Sequence, residues 1–388
     1  MDSVSTIAPV EQIATDATEP APQPGIALCL SGGGYRAMLF HLGTLWRLNE
    51  VGYLTRLDRV SSVSGGSITA GVLGLAWPRL AFDEVGVGQG FGQEVVAPVR
   101  DLADETIDIS SVLRGLLGPG SANDQVVRAY KKHLYGDQTL QDLPDRPRFV
   151  INATNIQSGV LWRFSKPYIR DYRVGEIRNP TVDVAVAVAA SSAFPPVLSP
   201  AVLEFEDDAY TPGSGLDLQR PPFTTEVFLA DGGVYDNLGL ETAWKRFTTI
   251  LVSDGGGHLS PEEESARDWP RHGLRIVSLV DHQVRSLRKR QVVASFKLDP
   301  SQAAHRDGAY WGIRSHIDHF ELADALPCPS DQTTALAETP TRLSSLSPEQ
   351  QERLINWGYA ACDAGMRKHV EPGLPPPAGF PYPDAGVG

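Results

Sequence analysis

Ser64 stands in the segment Ser62-Val63-Ser64-Gly65-Gly66, between a strand at 59–63 and a stretch of helical pattern. A serine at such a strand-to-helix turn is lifted clear of the sheet, with its hydroxyl free to act as a nucleophile. Upstream, Gly32-Gly33-Gly34 follows an apolar run at 26–30. Consecutive glycines at a helix start leave backbone N–H groups open to an anion, because no side chain blocks the approach. Ser64 follows Gly34 by 30 residues, the length of one helix and one strand, so both turns should open side by side at the carboxyl edge of one parallel sheet. A tetrahedral oxyanion formed at Ser64 would then lie within reach of the N–H groups of Gly32, Gly33 and Gly34, as acyl transfer requires. The pattern predicts a serine acyl hydrolase.

The serine needs a base, and two aspartates compete for the role. Asp231-Gly232-Gly233 ends a short strand at 226–230, and Asp254-Gly255-Gly256 repeats the triplet at the end of the next, at 249–253. Asp-Gly is also a common turn pair, so neither is catalytic by composition alone. His258, His272, His282 and His305 lie downstream and allow the chain order Ser, Asp, His of a hydrolase triad. Against a triad, the glycine loop precedes the serine by a single βα unit and directly follows the first strand. Arg36 is a cation in the first turn of a helix, where the dipole disfavours it. It calls for an anionic partner, either a structural carboxylate or a substrate phosphate.

The segment Ser31-Gly32-Gly33-Gly34-Tyr35-Arg36-Ala37, the serine elbow and the Asp-Gly-Gly turn resemble the patatin-like phospholipase family, and the glycine loop is similar to its cytosolic phospholipase A branch. The resemblance runs from about residue 26 to 257. One departure is Ser62, where the elbow ordinarily has glycine. The resemblance implies a three-layer α/β/α fold with a mostly parallel central sheet and a helical insertion. It also implies cleavage of fatty acyl esters of lipids through a Ser64-Asp231 dyad without histidine, an oxyanion hole at Gly32, Gly33 and Gly34, and no cofactor or metal. Asp231 fits the family turn better than Asp254, because Val234-Tyr235-Asp236-Asn237-Leu238-Gly239 follows it. Arg36 maps to the residue that holds the lipid phosphate. Two other readings are an esterase with a Ser-His-Asp triad and a non-catalytic lipid-binding protein on the same fold.

Several elements must position these residues. The helix from Tyr35 carries Met38, Leu42, Leu45, Trp46 and Leu48 at helical spacing, with Gly43 allowing close packing on the sheet. Residues 78–146 include a glycine-rich loop, an amphipathic segment at 107–117 and a helix at 124–135, and form a candidate cap over the site. A plain helical insertion predicts the same pattern. A strand at 148–153 pairs with 161–164 as a hairpin, and an alanine-valine helix at 181–193 stops at Pro195-Pro196. Further helices are expected at 239–247, 274–296 and 347–368. Arg285, Arg288, Lys289 and Arg290 in the second of these read as a solvated face. Residues 1–23 read as a disordered tail, 24–371 as one acyl hydrolase domain, and 372–388 as an unstructured Pro/Gly-rich tail.

Composition narrows the partners. Forty-seven acidic against 34 basic residues give a net charge of −13, which argues against nucleic acid and broad adhesion to anionic membranes. No run reaches the ~18 apolar residues of a bilayer span. Contact with lipid is therefore expected as transient docking at a membrane or micelle surface. Cys29, Cys328 and Cys362 are few and unevenly placed, as reduced thiols in a cytoplasmic protein would be. No cluster has metal-site spacing. Nothing in the sequence sets an oligomeric state.

Overall fold

The computed structural model describes residues 21–107 and 121–388 of the 388-residue chain. Its strands are β1 (Gln23–Leu30), β2 (Arg59–Val63), β3 (Arg148–Asn155), β4 (Val160–Ser165), β5 (Tyr168–Asp171), β6 (Gly175–Arg178), β7 (Ala201–Glu204), β8 (Glu226–Asp231), β9 (Phe247–Asp254) and β10 (Asp307–Gly312). The longer helices among the described residues are α1 (Gly34–Glu50), α2 (Gly65–Ala76), α3 (Ala97–Ala103), α4 (Ala122–Tyr130), α5 (Val184–Ser191), α6 (Trp269–Ser295), α7 (Ser330–Ala337) and α8 (Pro348–His369).

The centre of the molecule is parallel, in the order β10-β9-β1-β2-β3. β1 is apolar without alternation because both of its faces are covered. Leu28 and Leu30 point into the large core beneath α1, α2 and α8, whereas Ala27 and Cys29 pack with Leu238, Leu240, Ala243 and Val292 on the other face. These are the three layers expected. Gly43 serves a different contact from the expected one. A β-carbon there would lie 1.9 Å from the Ile355 carbonyl, and one on Gly358 would lie 1.8 Å from the Phe40 carbonyl. The two glycines let α1 and α8 cross backbone to backbone, so Gly43 packs against a helix and not the sheet.

Beyond β3 the sheet turns antiparallel, with β4, β5 and β6 as a meander and β7 paired to β8. β3 is longer than β2. Its last rung with β2 is Asn152 opposite Val63, and its next residues, Ala153 to Asn155, pair with β8. Because β4 occupies the opposite edge of β3 from Ile151 to Asn155, β8 takes the edge that β2 vacates. β2 and β8 therefore meet end to end, running toward one another.

Several expected segments take another form. The described parts of 78–146 pack beside α1, α2 and α5, with Val95, Val99 and Leu102 buried, the Tyr135 hydroxyl donating to the Ile68 carbonyl and Asn123 Nδ2 to the Ala189 carbonyl. The amphipathic segment expected at 107–117 lies, apart from Ile107, outside the described residues. The expected helix at 239–247 shrinks to one turn, Glu241–Trp244, because β9 begins at Phe247. The helix expected from 274 starts earlier, at Trp269, where Asp268 caps it by accepting from the Arg271 N–H. Most of the expected N-terminal tail lies outside the described residues, although Gln23 already belongs to β1. Residues 372–388 have no helix or strand, yet they are not loose: Val387 is buried, Tyr382 packs on the core, and Asn356 Nδ2 donates to the carbonyls of Tyr382 and Gly386. A few apolar side chains and one buried asparagine suffice to hold a Pro/Gly-rich segment down.

Candidate active site

Ser64 follows β2 with φ +49° and ψ −119°, a region that non-glycine residues rarely adopt. The strain is held by contacts on both sides. Its N–H donates to Ser191 Oγ at 2.9 Å, and that hydroxyl donates to the Asn152 carbonyl at 2.6 Å, so α5 fixes the elbow to β3. On the other side, a β-carbon on Gly65 would lie 2.2 Å from the Gly34 carbonyl, and one on Gly66 would lie 2.5 Å from that of Leu30. Only glycine lets the first turn of α2 run along the glycine loop. Ser62, the departure from an ordinary elbow, is buried and accepts a hydrogen bond from Ser67 Oγ at 3.0 Å. The elbow remains strained with a serine there.

The three loop glycines divide their work. Gly32 N–H donates to the Asn237 carbonyl at 3.1 Å, and Tyr35 N–H donates to the Arg342 carbonyl at 3.0 Å. Between them, the N–H groups of Gly33 and Gly34 have no acceptor among the described residues, and both glycines line the cleft with Ser64. The hydrogen-bond donors left for an oxyanion are thus those of Gly33 and Gly34, while Gly32 closes the loop.

Asp231 ends β8 opposite Ala153, one rung beyond the pairing of Val63 with Asn152. It is 3% exposed, and its Oδ1 accepts from the Gly233 N–H at 2.7 Å. Burial pushes its carboxyl up to about 7; hydrogen bonds from Gly233 and the Ser64 side chain pull the other way, and the Asp281 charge adds to the rise. Such a group is poised to take and return a proton near neutrality. Asp254 is placed differently. Its carboxylate accepts from the Tyr310 hydroxyl at 2.6 Å and the Gly256 N–H at 2.9 Å, and burial is outweighed by Arg285 and Tyr310, which hold it below the usual range.

Of the four histidines, His258 and His282 line the Ser64 cleft, but neither hydrogen-bonds to Ser64 or Asp231. His272 is exposed on α6, and His305 contacts the Leu298 carbonyl and Asp307. Arg36 is 2% exposed and does not line the cleft. Its Nε donates to the Gly255 carbonyl at 3.1 Å, Nη2 to Thr341 Oγ1 at 2.8 Å, and Nη1 to the Thr339 carbonyl. Among the described residues no carboxylate contacts the guanidinium; two backbone carbonyls and the Thr341 hydroxyl accept from it.

The cleft is about 470 Å³, and Phe194, Pro196, Leu198, Leu259, Leu274 and Leu343 give it an apolar lining suited to an acyl chain. None of the described residues of 78–146 lines it; its walls come from 192–198, 257–259, α6 and 341–343. Ser191, Asn237, Asp281, Arg285 and Arg342 also belong to the site and escape sequence reasoning. Ser191 carries a faint signal, as the hydroxyl residue that closes an alanine-valine helix. Among the described residues no group of three or more metal-ligating side chains is gathered.

The sequence pattern of the family described as patatin-like phospholipase matches residues 28–244, more than half of the chain. Among solved structures, the human GIVD cytosolic phospholipase A2 superposes with a TM-score of 0.53 at 14% identity, over 87% of this chain and 60% of its own. VipD from Legionella pneumophila aligns at 17% identity over 90% of this chain and 68% of its own, with a TM-score of 0.37. The chain thus spans about 60% of the length of the human phospholipase, and that likeness shows a shared fold. The chain matches no curated protein at a significant level.

Proposed function

The chain belongs to the patatin-like phospholipase family, and from that premise we propose that it is a lipid acyl hydrolase of phospholipase A or lysophospholipase type, working through a Ser64-Asp231 dyad. The observation that carries the reading is the contact of Ser64 with a buried carboxyl whose pKa lies near 7, beside two backbone N–H groups without acceptors.

Ser64 Oγ attacks the ester carbonyl carbon and its proton passes to Asp231. The carbonyl oxygen, now negative, takes hydrogen bonds from Gly33 and Gly34 N–H. When the tetrahedral intermediate collapses, the carbon–oxygen bond to the alcohol breaks and Asp231 returns the proton to that oxygen. A water then attacks the acyl-enzyme, giving its proton to Asp231, and the fatty acid leaves as Ser64 recovers its proton. No group beyond these residues is needed to balance the steps.

The substrate is a lipid presented at a membrane or micelle surface, because Leu274 of α6 belongs to the apolar lining of the cleft, and the same helix exposes Trp269, Val280 and Leu287. Arg36 is assigned to holding the loop at 255–257 and not to the lipid phosphate, since its N–H groups are spent on Gly255, Thr339 and Thr341. A triad reading lacks any contact of a histidine with Ser64 or Asp231. The decisive experiment is labelling with a fluorophosphonate probe: wild type should gain the adduct mass on the peptide containing Ser64, and Ser64→Ala should gain none. Equal labelling of the two proteins overturns the reading.

A further inference from the structure

Next to the Ser64 cleft, and sharing His258, His282 and Arg285 with it, lies a smaller cavity of about 130 Å³. Its lining carries Arg285, Lys289 and Arg314 together with Asp254. In a chain of net charge −13 this is a local reversal of sign. Like charges brought together around a small space are unfavourable unless an anion offsets them.

The anions already present offset only part of it. Asp254 is fully engaged by Tyr310 and Gly256, and Asp281 faces the neighbouring cleft. Asp254, Asp281 and Glu338, the last acting on Arg314 and His258, stand against Arg285, Lys289 and Arg314, and the Arg36 charge, felt by Arg285 and Arg314, leaves the cluster positive. The cations are also unequally held. Arg285 Nη2 donates to the Gly257 carbonyl, and Lys289 Nζ lies 4.4 Å from the centre of the Tyr310 ring. Arg314 has no hydrogen bond or ion pair among the described residues. His258 and His282 touch edge to face, with ring centres 5.4 Å apart, and burial followed by the nearby arginines holds both below their ordinary values. Neutral near pH 7, each still offers a ring N–H to an acceptor.

The geometry points to this cavity as a receptor for a phosphate-bearing anion, so placed that the phosphate of a lipid rests on Arg285, Lys289 and Arg314 while its acyl ester reaches Ser64. The inference deepens the acyl hydrolase reading and rests on it for the lipid source of the phosphate. It also separates the two arginines of the glycine loop. Arg36 grips the Gly255 carbonyl from the core side, whereas Arg285 grips that of Gly257 and lines the cavity. At more than four times the ~30 Å³ that one water occupies in the liquid, the space admits a phosphate with its oxygens near several N–H donors.

The test compares a lysophosphatidate with the monoacylglycerol of the same acyl chain, both at low mole fraction in nonionic micelles, and titrates inorganic phosphate into Ser64→Ala protein. Wild type should favour the phosphorylated lipid in kcat/KM by roughly tenfold or more. Arg314→Gln and Lys289→Gln, which lie outside the Ser64 cleft, should each remove much of that preference and leave monoacylglycerol turnover within about twofold. Arg342→Gln, which lines the Ser64 cleft and not the cavity, should not change the ratio. Retained melting temperatures establish that the variants are folded. Inorganic phosphate binding that Arg314→Gln abolishes, without any lipid preference, assigns the cavity to free phosphate in place of a headgroup. Absence of both phosphate binding and lipid preference overturns the proposal, as does a preference that answers to Arg342→Gln alone. If wild type cleaves neither lipid, the hydrolase reading fails, and the phosphate titration still decides the cavity.

Discussion

Ser64 and Asp231 come from strands that run toward each other and end on neighbouring rungs of β3, the serine after Val63 opposite Asn152 and the aspartate opposite Ala153. The proposed nucleophile and base are therefore set by one length of backbone, with no long side chain or mobile loop between them. Their spacing is as rigid as the sheet.

That arrangement predicts a sharp division among substitutions. Asp231→Asn should lose about 10²-fold or more of kcat on a neutral nitrophenyl ester, as removal of a general base commonly does. Single alanine replacements of His258, His272, His282 and His305 should each retain most of it. One histidine variant as inactive as Ser64→Ala would replace the dyad by a triad.

The Asp231 carboxyl at about 7 sets the acid side of the pH profile. Log kcat/KM on a neutral ester should fall below pH 7, where the base gains its proton, and not near pH 4 as for an ordinary carboxylate. Asp281, itself pushed up to about 6 chiefly by burial, contributes to the rise through its charge. Asp281→Asn should move the midpoint to lower pH. A midpoint that stays put would remove Asp281 from the electrostatics of the base.

The same group shapes stability. The unfolded chain releases this proton near 3.8 while the folded chain keeps it to about 7, so wild-type stability is lost as pH rises through that window. Asp231→Asn lacks the loss, and its Tm advantage should grow between pH 4 and 7 and level off above. At ~1.4 kcal/mol per pH unit the ceiling is roughly 4 kcal/mol. An unchanging difference across this range would mean that the carboxyl is not held protonated by the fold.

Arg36→Ala orphans the carbonyls of Gly255 and Thr339, each worth roughly 1–3 kcal/mol when buried and unpaired. Activity on phospholipid and on neutral ester should fall together with Tm, and Arg36→Lys should restore only part, because one ammonium cannot span the three acceptors. A selective loss on phospholipid at unchanged Tm would return Arg36 to the lipid phosphate.

α6 exposes Trp269 at 85% and Val280 at 55% on the helix that also walls the cleft. Trp269→Ala with Val280→Asp should weaken hydrolysis of lipid in vesicles several-fold and spare a monomeric short-chain ester. Equal effects on both substrates would argue that α6 supports the cleft and does not meet the lipid surface.

Much of the site is local and so was readable in the sequence. Gly32-Gly33-Gly34, Ser64 and the glycines after it are turn residues at strand ends, and one βα unit between them dictates adjacent strands whatever the rest of the chain does. Asp231 carried a turn signature too, but so did Asp254, and the choice between them is not local. Three antiparallel rungs with β3 bring Asp231 to Ser64, while Tyr310 on β10 and Arg285 on α6 occupy Asp254. Strand direction and edge sharing depend on which lengths of β3 are left free, a property of the whole sheet that no window of sequence contains. The partners of Arg36 show the same limit, for Thr339 and Thr341 lie some 300 residues downstream in the chain. The N-terminal position of Arg36 on its helix announced a need for compensation, and only tertiary packing decided that two backbone carbonyls and a threonine hydroxyl would supply it.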